Sequence, residues 1–164
     1  MNMESNMKVS EEFRQAIDKP EGNIKVYICA GWFNPNKMKA LNMLEDVLHS
    51  FDELELFDPR FDSPQIGKNP TEAERQANFD ANLSAMRSSD VLIASTEGLD
   101  SGTIWECGYG SALGIPTFGF APLLPEGVPF NLMLAQSMKH IFLSSEALTS
   151  YLKDGKEPER IGAC

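Results

Sequence analysis

Long apolar runs, histidine, paired cysteine and basic residues are all scarce in this 164-residue chain, and each scarcity excludes something. No apolar stretch approaches the roughly eighteen residues that a membrane span needs. The opening MNMESNMKVSEEF lacks the cationic start and apolar run of a secretory signal, so a cytoplasmic setting is expected. Cys29, Cys107 and Cys164 are odd in number and far apart. Without a CxxC pair, neither a zinc knuckle nor a dithiol redox motif is indicated, and Cys29 and Cys107 read as core residues. His49 and His140 are isolated and lack metal-ligand spacing, so chemistry with no metal or other cofactor is expected. Lys and Arg total 14 against 24 Asp and Glu, a formal net charge of −10. Holding nucleic acid by its phosphates needs a basic surface, so that partner is disfavoured, and a polyanionic substrate mildly so. Neither G-x-G-x-x-G nor G-x-x-x-x-G-K-[ST] occurs, which argues against dinucleotide and nucleoside triphosphate binding.

What is present suits one globular domain: apolar residues make up 42% of the chain. Residues 1–22 read as a polar N-terminal extension, with a short helix over 11–17 lying outside the main fold. Residues 23–153 form the domain, and residues 154–164 a C-terminal tail without clear pattern. Strands are expected at 24–30, 54–57, 90–95, 117–121 and 140–143. Helical spacing joins Met38, Leu41, Leu44 and Val47. A loop follows from Asp58 to Pro70. The capping-box pattern Thr71-Glu72-Ala73-Glu74 then opens a helix to about Ser88, with Phe79, Leu83 and Met86 facing the core. Further helices are expected after Gly102, over 131–137 and over 145–153.

Strands alternating with helices imply an α/β fold, a five-stranded parallel sheet covered on both faces. The flavodoxin-like (Rossmann-like) order 2-1-3-4-5 places the topological switch point between strands 1 and 3. The loops after those strands, Gly31-Trp32-Phe33-Asn34 and Asp100-Ser101-Gly102-Thr103, should meet there and line the pocket.

The second loop carries the candidate chemistry. Glu106 is either the far end of a capping box opened by Thr103, or a carboxylate one turn inside a helix capped by Asp100 or Ser101. Asp100 is either that cap or a group that handles the leaving group's proton. Two carboxylates beside one anomeric carbon suit glycosyl transfer, one attacking carbon and the other managing protons. An acid at a helix start is also held ionised by the helix dipole. Tyr27 either fills the core or gives its hydroxyl to a carboxylate such as Glu106. Trp32 and Phe33 are a lid over the core or a stacking surface for a flat base.

Taken in order, Val26-Tyr27-Ile28-Cys29-Ala30-Gly31-Trp32-Phe33, Asn82-Leu83, Asp90-Val91-Leu92-Ile93-Ala94, Asp100 through Tyr109 and Pro129-Phe130-Asn131-Leu132-Met133 resemble the nucleoside 2-deoxyribosyltransferase family. The resemblance implies that Glu106 forms a covalent deoxyribosyl ester, Asp100 relays the base's proton, Tyr27 holds Glu106 and Phe33 packs on the base. It also implies a homo-oligomer in which Asn131 and Met133 complete a neighbouring subunit's site, with deoxyribonucleosides and free nucleobases as partners in nucleotide salvage. Gly31, Trp32 and Gly102 would line the substrate site. Asn82 stands where some members carry an acid; an amide can hydrogen-bond a base but cannot take its proton near neutral pH. Asp62 is the expected base contact in the 58–65 loop. The alternatives are a hydrolase of deoxynucleoside 5′-monophosphates and a non-catalytic nucleoside-binding module. The bulky Trp32 and Phe33 favour a nucleoside over a phosphate-bearing substrate.

Overall fold

A computed structural model describes residues 7–162. The first six residues of the expected N-terminal extension, and Ala163 and Cys164 of the tail, lie outside the described residues. Five strands form one parallel sheet in the order β2-β1-β3-β4-β5. They are β1 Ile24–Ala30, β2 Leu54–Phe57, β3 Val91–Ser95, β4 Thr117–Phe120 and β5 Ile141–Phe142. The helices between them are α2 Pro35–Leu48, α3 Pro59–Asp62, α4 Glu72–Ser88, α5 Ser101–Ala112 and α6 Leu132–Ser137, with α1 Glu11–Ala16 before and α7 Ser145–Asp154 after. No helix among the described residues is long and apolar enough to cross a membrane.

Period-two alternation in buried strands sends successive side chains to opposite faces. Val26, Ile28 and Ile93 point to one face and pack with Leu41, Leu44, Phe118, Phe142 and Tyr151. Tyr27, Cys29, Leu92 and Ala94 point to the other and pack with Met86, Cys107 and Phe130. Local chemistry starts the helices as the residues dictate. Asn34 caps α2 ahead of Pro35, Thr71 and Glu74 close a reciprocal capping box on α4, and Asp100 caps α5 through the Thr103 amide.

Four expectations need correction. The helix over 11–17 is not outside the main fold: Phe13 is fully buried, tilted against Phe118 and edge-on to Tyr151. A polar segment with one large aromatic anchors itself by burying that ring. The expected loop after β2 contains α3, started by Pro59 and by the Asp58 side chain accepting from the Arg60 amide. On α4, only Met86 reaches the core fully, while Phe79 is 45% exposed and packs against Trp105 with ring centroids 5.9 Å apart. Finally, the outer strand β5 is two residues long, half the expected length. Within the tail, the Gly162 carbonyl accepts from the Phe130 amide, so the chain end folds back beside the segment leading to α6.

Candidate active site

The C-terminal ends of β1 and β3 stand side by side, with Ala30 in register with Ser95. Beyond them the chain turns into α2 and α5, so both loops open into the switch-point crevice. Because Tyr27 projects toward α5, its hydroxyl meets Glu106, one and a half turns into that helix. The Tyr27 Oη donates to Glu106 Oε1 at 2.7 Å. The Tyr27 ring is held by stacking on Phe57, at 5.4 Å between centroids. Burial, then the neighbouring Glu106 charge, pushes the phenol far above its ordinary pKa, so it stays a hydrogen-bond donor.

Burial pushes the Glu106 carboxyl up to about 7. The Tyr27 hydrogen bond and the Cys29 thiol oppose that rise, and the Asp100 charge adds to it. The Cys29 thiol, buried against Cys107, is itself pushed up by burial. Asp100 behaves differently. Burial acts to raise it, but the Lys37 ammonium at 2.9 Å and the Thr103 amide at 3.1 Å together hold it below the usual carboxylate range. The helix dipole therefore favours ionisation at Asp100, at the helix start, and is spent by the second turn where Glu106 sits. Two carboxylates whose environments drive their proton affinities apart mark a site able to divide nucleophilic and proton-handling roles.

Gly31 is what lets Asp100 occupy this place: a Cβ there would lie 2.7 Å from the Asp100 carboxyl carbon. A side chain on Gly102 would come within 3.2 Å of the other Asp100 oxygen. Trp32 packs partly against the core, whereas Phe33 is 74% exposed, its ring 5.0 Å from that of Trp32. Together they wall a hollow of about 480 Å³ completed by Arg60, Gln65, Asn78 and Asn82. Asn82 is fixed there: its Oδ1 accepts from the Ser63 hydroxyl and its amide donates to Asn78.

Asp62 takes another place. Its Oδ2 accepts from the Asp58 amide at 2.7 Å, which ties the start of α3 instead of lining the hollow. Arg60 and Gln65 face the hollow from that loop. Asn131 and Met133 are also separate from Glu106 within one chain. They border a largely apolar cavity of about 550 Å³ on the far side of α5, with Leu99 and Ile104, and Met133 is 77% exposed. Asn131 also caps α6 by accepting from the Leu134 amide.

Sequence reasoning missed Lys37 and Arg60. A signal existed for Lys37: a cation in the first turn of a helix opposes the dipole and calls for a partner. None marked Arg60, whose guanidinium joins Glu45 on α2 to Asp58 at the end of β2. Among the described residues no cluster of His, Cys, Asp and Glu is arranged to hold a metal ion.

A family model for nucleoside 2-deoxyribosyltransferases matches residues 26–133. The chain is similar to the 2-deoxyribosyltransferase from the psychrotolerant bacterium Bacillus psychrosaccharolyticus, at 26% identity and a TM-score of 0.68, over 77% of this chain and 91% of that one. A conserved protein from Enterococcus faecalis V583 shares the fold at 18% identity and a TM-score of 0.66, over 82% of this chain and all of the other. No curated protein matches the chain in sequence. With the parallel sheet, the switch-point crevice and the matched segment covering most of its length, the chain belongs to the nucleoside 2-deoxyribosyltransferase family.

Proposed function

We propose that the protein exchanges the base of a 2′-deoxyribonucleoside through a covalent deoxyribosyl ester on Glu106. The observation that carries this reading is the part-buried 2.7 Å hydrogen bond from Tyr27 to Glu106, with Asp100 close enough for its charge to act on the same carboxyl. Ionised Glu106 attacks C1′. The C1′–N bond breaks, its electron pair leaves with the base, and a proton taken from solvent and relayed by the Asp100 carboxylate neutralises that base. The acceptor base then attacks C1′ from the vacated side, the ester C–O bond breaks, and the acceptor gives up its proton. Two inversions yield net retention.

Tyr27, a donor at all physiological pH, orients the attacking carboxylate and favours its charged form. Phe33 packs on the base, and Asn82 offers it an amide from the hollow between Trp32 and α4. Gly31 and Gly102 leave the sugar side clear beside Asp100. Asn131 and Met133 serve a neighbouring subunit, which is consistent with their exposure beyond α5. Base exchange of this kind would serve nucleotide salvage in the cytoplasm.

Because Glu106 must lose its proton to attack, the rate should climb as pH rises through about 7. The decisive experiment incubates the enzyme with deoxyinosine and adenine and separates the products. Deoxyadenosine should form with ping-pong kinetics, and intact mass without acceptor should show a sugar adduct lost in Glu106→Ala. Exchange by Glu106→Ala at near wild-type rate would defeat the mechanism. Rapid release of free sugar without an acceptor would make the protein a hydrolase instead.

A further inference from the structure

Lys37 is the third residue of α2, where an ammonium group faces the positive end of the helix. It is held there by Asp100: Nζ donates to Oδ1 at 2.9 Å, and each side chain is only 14% exposed. The other Asp100 oxygen accepts from the Thr103 amide and hydroxyl. Two absent side chains make room for the pair. A Cβ on Gly31 would lie 2.7 Å from the Asp100 carboxyl, and one on Gly98 would lie 3.1 Å from Lys37 Cε. Between Gly98 and Asp100 sits Leu99, whose φ of 45° is one that non-glycine residues seldom adopt. A sheltered ion pair on a strained turn differs from the exposed pairs that contribute little, and its desolvation makes stability a poor reason for it.

The surroundings of Glu106 supply a better reason. Tyr27 donates to it from β1, the Cys29 thiol lies near it with Cys107 beyond on its own helix, and Asp100 caps that helix, near enough for its charge to act on Glu106. Asp58 lies behind Tyr27 at the end of β2, already joined to Arg60. Among the described residues, none of the groups acting on Glu106 is a cation. Two carboxylates sharing one site resist ionising together unless a positive charge offsets them. We propose that Lys37 is the counter-ion that offsets the Asp100 charge acting on Glu106, so that both carboxyls can be negative together. It is a positioning residue acting through Asp100. Its effect on turnover rests on Glu106 being the nucleophile, but its effect on the charge of Glu106 does not.

The test follows Glu106 directly by carbon NMR of labelled glutamate side chains, assigned with Glu106→Gln, alongside the pH dependence of base exchange. Lys37→Met should move the Glu106 midpoint upward by about half a unit to one unit, because Asp100 remains capped and charged. Exchange at pH 6 should fall about three- to tenfold and recover near pH 9. Lys37→Gln, which keeps a donor without charge, should behave like Lys37→Met, and Lys37→Arg like wild type. An unmoved midpoint in Lys37→Met, a wild-type midpoint in Lys37→Gln, or a loss equal at all pH values would overturn the proposal. A shifted midpoint in a protein that exchanges no bases would leave the counter-ion standing and defeat the transferase reading.

Discussion

The two faces of the sheet are built on opposite principles. The face covered by α1, α2 and α7 is sealed by interlocked rings, with Phe118 between Phe13, Phe142 and Tyr151. The face under α4, α5 and α6 buries a phenol and two thiols beside a half-buried carboxyl that desolvation drives away from its charged form. Its outer helix, α4, sinks one side chain fully, and the exposed Phe79 of α4 packs on the exposed Trp105 of α5, which stacks in turn on the partly buried Tyr109. One face stabilises the fold, and the other accepts a stability cost to hold reactive groups.

The sharpest way to break this comparison is Glu106→Gln. Exchange should fall by about a thousandfold or more in steady-state assays. Stability should move the other way. Because the folded carboxyl binds its proton up to about 7, against 4.5 ordinarily, the folded state holds more protons in that window. Wild type therefore loses stability as pH rises from about 4.5 to about 7. Denaturant melts should show Glu106→Gln gaining up to about 3 kcal/mol over wild type at pH 8 and little at pH 4. No gain at pH 8 would mean the carboxyl is well solvated.

On the opposite face, Phe13→Ala should cost about 3–5 kcal/mol in the same melts while leaving the pH profile of exchange unmoved. A shifted profile would show that the two faces are coupled. Tyr27→Phe keeps the ring on Phe57 but removes a hydrogen bond to a charged group, worth about 1.5–3 kcal/mol. Exchange at pH 6 should drop about ten- to a hundredfold, with the acidic limb moved upward and stability little changed. The smallest effect is expected for Phe79→Ala, under about 1 kcal/mol in dilute protein. A larger, concentration-dependent loss would show that the open aromatic stack is covered by another copy.

Much of the architecture was legible because hydrophobic period reports it directly. Strand β1 and its order in the sheet follow from a buried run bounded by polar turns, and α4 begins at the capping box its residues spell out. Capping patterns left two readings open where they overlapped: Thr103 and Glu106 have the spacing of a box, but Asp100 takes the cap, the second reading, and frees Glu106 to face β1. Phe79 shows the limit of periodicity, which marks one side of a helix without saying what covers it. Phe13 shows the converse, since a lone aromatic in a polar segment carries no period, although the ring is fully buried.

The residues alone determined a parallel α/β sheet, its switch point, and the presence of Tyr27, Asp100 and Glu106 at that point, because burial periodicity and turn chemistry are local properties of the chain. Only the tertiary structure decided the charge each carboxyl carries. Proton affinity depends on burial and on partners distant in sequence, and folding alone brought Lys37 across to Asp100 and Tyr27 to Glu106.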